Sequence, residues 1–159
     1  MTPNYSLYAL GAYWILCFIP RVVSVVTIRR ATGGKWNNVN PRSTSVQDEY
    51  QKRISKAAYS TFERANAAHN NSLESFAIVA AALIAGSVAG LHNDTLNTGA
   101  GALLLLRSLY IVLYINTTTN SVSQLRSLVW FGNQAVAFTV LMKAAATFAS
   151  ASATNKKIY

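Results

Sequence analysis

Polar and charged side chains recur at helical spacing along Glu63-Arg64-Ala65-Asn66-Ala67-Ala68-His69-Asn70-Asn71-Ser72-Leu73-Glu74, directly ahead of the apolar run Phe76-Ala77-Ile78-Val79. At about 100° per residue, Ser60, Arg64, Ala67, Asn71, Glu74 and Ile78 share one helix face. Two later apolar segments carry Arg107 and Arg126, and Tyr110 and Tyr114 fall on the same face as Arg107. Arg64, Asn71, Arg126 and Tyr114 would together offer cations, an amide and a hydroxyl. That set suits a small anionic ligand with carboxylates, because a guanidinium grips a carboxylate through a two-pronged fork. Glu74 and Tyr114 lie equally far from Asp94 on either side, so an antiparallel hairpin brings them to one depth. A Glu74–Arg107 ion pair is then expected. It either neutralises itself inside the bundle or belongs to the site.

The elements that must position these groups are membrane helices. The 159-residue chain is 52% hydrophobic and 12% charged, against about 25% charged in an ordinary soluble domain. Four apolar blocks, at about residues 5–28, 73–91, 96–115 and 125–151, approach or exceed the length of about 20 residues that crosses a bilayer. In lipid each must satisfy its backbone internally, so all four are predicted to be helices. The expected fold is an all-α membrane protein, a four-transmembrane-helix bundle forming a single domain over residues 1–159. The first block has no basic residue before it and is followed by Arg29 and Arg30, which reads as a retained span and not a cleaved signal peptide. Charge inside such spans is costly and marks a functional site by default.

Thr32-Gly33-Gly34 is expected to end the first helix. A helix is predicted to restart near Ser45 or Val46 with Asp48 and Glu49 in its first turn, and to run unbroken into the second span. His92 to Thr95 is a tight turn. Asn116 to Gln124, rich in Thr, Ser and Asn, is expected to be a mobile connection. Gly86 and Gly90 in the second span allow close helix approach. Cys17 reads as a packing residue, as does His69. Arg21 either faces the pocket or snorkels to the surface.

The net charge of +9 gathers between the first two spans, at Arg29, Arg30, Lys35, Arg42, Lys52, Arg53, Lys56 and Arg64. The basic-loop rule puts residues 29–62 and the third connection in the cytoplasm and both termini in the lumen, with Lys156 and Lys157 on the tail. Topogenesis and anionic lipid account for the charge without nucleic acid. No metal-ligand spacing, phosphate loop or Ser-His-Asp order occurs, and no broken or repeated helices suggest a transporter.

The chain resembles the MAPEG family, the membrane-associated proteins of eicosanoid and glutathione metabolism, and within it the microbial and fungal branch. The resemblance rests on Asn40-Pro41-Arg42, on Glu63-Arg64 through Ala68-His69-Asn70-Asn71 to Glu74, on Arg107 to Tyr114, and on Leu125-Arg126-Ser127-Leu128-Val129-Trp130. It implies a homotrimer of the endoplasmic reticulum or another endomembrane that binds glutathione at each subunit interface. The implied activity is glutathione-dependent transfer or peroxidase chemistry on lipophilic electrophiles or lipid hydroperoxides. Arg126 matches the arginine that stabilises the glutathione thiolate. Asn71, Glu74, Tyr110 and Tyr114 match positions that line or hold the tripeptide, Arg64 from the pocket argument above is taken with them as a glutathione-binding residue, and Arg29 or Arg30 matches an arginine lent by the neighbouring subunit. Two features depart from the family. Ala67 and Asn70 stand where the well-studied enzymes have arginines, and the connection from Tyr114 to Arg126 is longer than usual, which would displace Arg126. The two missing arginines favour the alternative, a non-catalytic lipid-binding or scaffold protein of the same family, whereas Leu125-Arg126-Ser127 favours the enzyme.

Overall fold

A computed structural model describes residues 2–155. Lys156 and Lys157, part of the charge argument for topology, lie outside the described residues. Five helices follow in order: α1 (Ser6–Ala31), α2 (Thr44–Arg53), α3 (Lys56–Val88), α4 (Asn93–Asn116) and α5 (Asn120–Asn155). Four of them, α1, α3, α4 and α5, are long and apolar enough to cross a membrane, as the apolar blocks predicted. They pack as a bundle in which α1 lies along α3, and α5 lies along both α4 and α3. Tyr13, Cys17, Val79, Ala82, Leu83, Leu96, Ala100, Leu103, Ala137 and Val140 form its core. Leu105, Val112, Leu128, Phe131 and Met142 point outward and stay exposed, the pattern of helices whose outer face meets lipid.

Local chemistry fixes the ends. Gly33 and Gly34 take φ values of +68° and +97° just after α1, where a side chain would be strained. At the far end of α3, Gly90 has φ +72°. There Leu91 N–H donates to Gly86 C=O at 3.0 Å and Gly90 N–H to Ser87 C=O at 3.2 Å, the double bond of a Schellman cap. His92 accepts from Asp94 N–H and caps α4. Asn93 and Asn97 donate to the carbonyls of Thr2 and Pro3, each at 2.8 Å, which straps the chain's start onto α4.

Three expectations need correction. The second helix does not run unbroken into the span. α2 ends at Arg53, Ile54 and Ser55 are extended, and Ser55 Oγ accepts from Ala58 N–H at 3.2 Å to start α3. The break turns Ile54 onto a small second core of Ile28, Val46, Tyr50 and Phe62, and the serine cap compensates for the lost helical bonds. Asp48 and Glu49 fall outside α2's first turn, because Ser43 caps the helix earlier; Glu49 pairs with Arg53 at 3.1 Å. The third connection shrinks to residues 117–119, because α5 begins at Asn120. Its polar side chains bond within their own helix, Ser123 Oγ to Asn120 C=O at 2.6 Å and Ser127 Oγ to Ser123 C=O at 3.3 Å. Short hydroxylated side chains that suggest a loop can satisfy themselves along a helix as well.

Candidate functional site

The helical start of α5 decides where Arg126 goes. Rigid continuation from Asn120 carries Arg126 back over α4, where its guanidinium carbon lies 4.1 Å from the centre of the Tyr114 ring. The longer connection therefore does not displace Arg126 from the pocket. Asn71 of α3, Tyr110 and Tyr114 of α4, and Arg126, Ser127, Trp130 and Phe131 of α5 line one cavity of about 300 Å3. Tyr110 and Tyr114 meet edge to face at 5.5 Å. The buried Trp130 Nε1 has no hydrogen-bond partner, an unmet donor of the kind that a ligand or water satisfies. The lining offers a guanidinium, two phenols, an amide, a hydroxyl and an indole N–H beside apolar ring faces.

Behind this cavity lies a buried cation. Arg107 is 1% exposed. Its Nε donates to Tyr13 OH at 2.7 Å and its Nη1 to Asn71 Oδ1 at 3.2 Å. Its guanidinium carbon stands 5.4 Å and 4.9 Å from the Tyr13 and Tyr110 ring centres, close enough for cation–π attraction. The expected Glu74–Arg107 pair is not made. Asn71 occupies the level of Arg107 and turns towards α4, whereas Glu74, about 60° round the helix, is exposed on the outside. Arg107 thus positions Asn71, one of the cavity's own walls. Tyr13→Phe is expected to cost about 2 kcal/mol, the worth of one hydrogen bond to a charged group, read from thermal unfolding in detergent. In an Arg107→Leu background the same change should cost less than about 0.5 kcal/mol, since the coupling is then gone. Equal costs in both backgrounds would refute the pairing.

Of the residues read from the sequence, Asn71, Tyr110, Tyr114 and Arg126 come together, and Arg64, Glu74 and Arg30 do not join them within one chain. Arg64 Nε donates to Ile115 C=O at 2.9 Å and its Nη2 to Thr61 Oγ1 at 3.1 Å. It caps the C-terminal carbonyls of α4, where a cation is favoured. Arg30 is exposed at the end of α1. His69 is a packing residue as read, 3% exposed with Nδ1 2.7 Å from Cys17 C=O. Sequence reasoning missed Tyr13 and the buried Asn133, whose Oδ1 accepts from Tyr13 OH at 3.5 Å. Tyr13 was one aromatic among many in its span. Asn133, with its neighbour Gln134, interrupts an apolar span, the same signal that singled out Arg107.

A family model described as the MAPEG family matches residues 6–146. The chain belongs to the MAPEG family. No curated protein and no solved structure matches it. Membership supports, at family level, a membrane protein of the glutathione-related transferase or peroxidase kind. As in the resemblance drawn from the sequence, this MAPEG chain is an all-helical bundle with four candidate membrane spans.

Proposed function

We propose that this protein binds glutathione in the cavity between α3, α4 and α5 and uses its thiolate against lipophilic electrophiles or lipid hydroperoxides that arrive through the bilayer. The observation that carries the reading is the seating of Arg126 over Tyr114 in a cavity walled by Asn71 and Tyr110. A cation at that place lowers the pKa of an adjacent thiol and raises its thiolate fraction. With an electrophile the sulfur lone pair forms a bond to carbon and the leaving group departs with its electron pair. With a hydroperoxide the sulfur bonds to the terminal oxygen as the O–O bond breaks, the alkoxide leaves and takes a proton to give the alcohol, and a second glutathione converts the sulfenic acid to disulfide and water. The residues fit the ligand. Asn71 and the two tyrosines supply hydrogen bonds, Trp130 Nε1 is an unmet donor, and the exposed Leu128 and Phe131 offer an apolar approach for the second substrate.

Within this reading the assembly is a homotrimer. Glu74 is exposed on a span, and a carboxylate facing lipid costs at least about 2.5 kcal/mol unless something covers it. A neighbouring subunit would cover it, and would bring an Arg30 to complete the tripeptide site. The loop 32–43, with Lys35 and Arg42, and α2 behind it then face the cytoplasm, with both termini in the lumen of the endoplasmic reticulum or another endomembrane.

The test is calorimetry with glutathione on purified protein in detergent, with Asn71→Ala alongside. Saturable binding that Asn71→Ala weakens about tenfold, the worth of one good hydrogen bond, is the expected result. No binding at a cell-like glutathione concentration would refute the proposal.

A further inference from the structure

A second polar cavity, of about 330 Å3, opens on another face of α3, lined by Arg21, Pro41, Arg42, Gln47, Phe62, Glu63, Asn66, His69 and Asn70. Asn66 lies about 140° round the helix from Asn71, so this space is separate from the cavity of Arg126. Its walls are α1, the segment before α2, α2 itself and α3, and it is the place where the first loop folds back over the bundle.

Two cations and one carboxylate line it, and neither cation is paired with that or any other acid among the described residues. Arg21 is fixed in position: its Nη1 donates to Asn66 Oδ1 at 3.0 Å and its guanidinium stacks over the Trp36 ring at 5.2 Å. A guanidinium carries five N–H donors, and the Asn66 bond is the hydrogen bond formed by this side chain among the described residues. The Arg42 side chain is exposed and forms no ion pair. Among the described residues the ion pair between permanently charged side chains is Arg53–Glu49, and His92 lies 3.5 Å from Asp94, a pair that is ionic only when the imidazole is protonated. Glu63, the acid in the lining, is exposed and bonds to neither guanidinium. The rest of the lining adds the amides of Gln47, Asn66 and Asn70. About 20 helical residues cross the hydrocarbon. Counted from Ser6, that places the Arg21 backbone about four residues, or roughly 6 Å, inside the boundary between acyl chains and headgroups, a depth that an arginine side chain can span to reach the headgroups.

We infer that this second cavity binds a phosphate group, presented either by an anionic phospholipid of the adjoining leaflet or by a soluble phosphomonoester. Two guanidiniums converging from different elements match the multiple charge and tetrahedral oxygens of a phosphate, each able to bond it through two parallel N–H donors. The amides complete the ring of donors. Trp36 holds Arg21 in its bonding rotamer, which reduces the entropy lost when an anion binds. The site is independent of glutathione, and its failure would leave the proposed transferase untouched.

The experiment uses the full chain in phosphatidylcholine nanodiscs. One arm titrates inorganic phosphate by calorimetry. The other adds phosphatidic acid to the bilayer and reads, by native mass spectrometry, how much of it the protein retains on release. Saturation in the first arm identifies a soluble phosphate, and selective retention in the second identifies a headgroup. In whichever arm binds, Arg42→Gln is expected to weaken it by roughly tenfold, the loss of one charge-assisted contact. Lys52→Gln, which removes the same charge outside the cavity, should change it less than about twofold. Arg42 and Lys52 are both exposed, so neither variant endangers the fold. Three outcomes overturn the inference: no binding in either arm, equal losses in the two variants (which would mean diffuse attraction), or displacement of the phosphate ligand by glutathione.

Discussion

Arg126→Ala is expected to abolish the ultraviolet thiolate absorbance of bound glutathione and to lower the rate of thiol transfer by roughly 10²–10³-fold, the usual effect of removing one preorganised electrostatic stabiliser. A free thiol titrates near about 8.5, so at neutral pH most of it is protonated and unreactive unless a cation lies beside it. Arg126 is the cation on the cavity wall, with its guanidinium carbon 4.1 Å from the Tyr114 ring centre. Its side chain forms no hydrogen bond or ion pair among the described residues beyond that stacking. Truncation should therefore leave the unfolding temperature of the detergent-solubilised protein within a few degrees of the parent. Arg126→Lys should fall between the two, because it keeps the charge but loses the planar fork. If the thiolate band persisted in Arg126→Ala, another group would be stabilising it and the proposed role would be wrong.

The second large effect concerns the packing that holds α3, α4 and α5 at the separation the cavity needs. A Cβ on Gly86 would stand 2.7 Å from Leu96 Cδ2, 3.2 Å from Val140 Cγ1 and 3.3 Å from Leu91 Cδ1. These are side-chain ends, yet Leu96 is 0% and Val140 4% exposed, so room for the added atoms has to come from repacking their buried neighbours. Gly86→Val is expected to destabilise the bundle by about 3 kcal/mol, at the upper end of overpacking costs. The control is Gly101→Ala in the next helix, where nothing lies within 4 Å of the added atom. That change should gain about 0.5–1 kcal/mol from helix propensity. Thermal unfolding of both variants in one detergent gives the comparison. Similar midpoints for the two would show that the Gly86 contact is not a tight one.

The three-residue link between α4 and α5 shows why composition misled at one point and not at others. Thr117 to Gln124 has the residue types of a loop, and nothing apolar in it demands a helix. The structure nevertheless continues α5 back to Asn120, because hydroxyls can bond their own helix and because Arg126 then stacks on Tyr114. Local propensity was neutral there, and contact with a distant element broke the tie. The break at Ile54 and Ser55 is the mirror case. Strong helical pattern surrounds it, and burial of Ile54 against Phe62 and Tyr50 outweighs continuing the helix.

The sequence by itself determined the four spans and the glycine-marked end of α1, because apolar length and helical periodicity are local and one-dimensional. Of the group it offered, Arg64, Asn71, Tyr114 and Arg126, the last three do line one cavity with Tyr110, whereas Arg64 turns to the end of α4. The sequence also marked Arg107 as a buried charge with a job. Only the tertiary structure decided the partners. Arg107 takes Tyr13 and Asn71 in place of Glu74, Arg64 caps α4, and Arg21 joins Asn66 and Trp36 at a second cavity. Those choices depend on the rotation and relative depth of packed helices. A shift of a few ångströms along an axis, or about 60° around it, exchanges one partner for another while leaving every span unchanged.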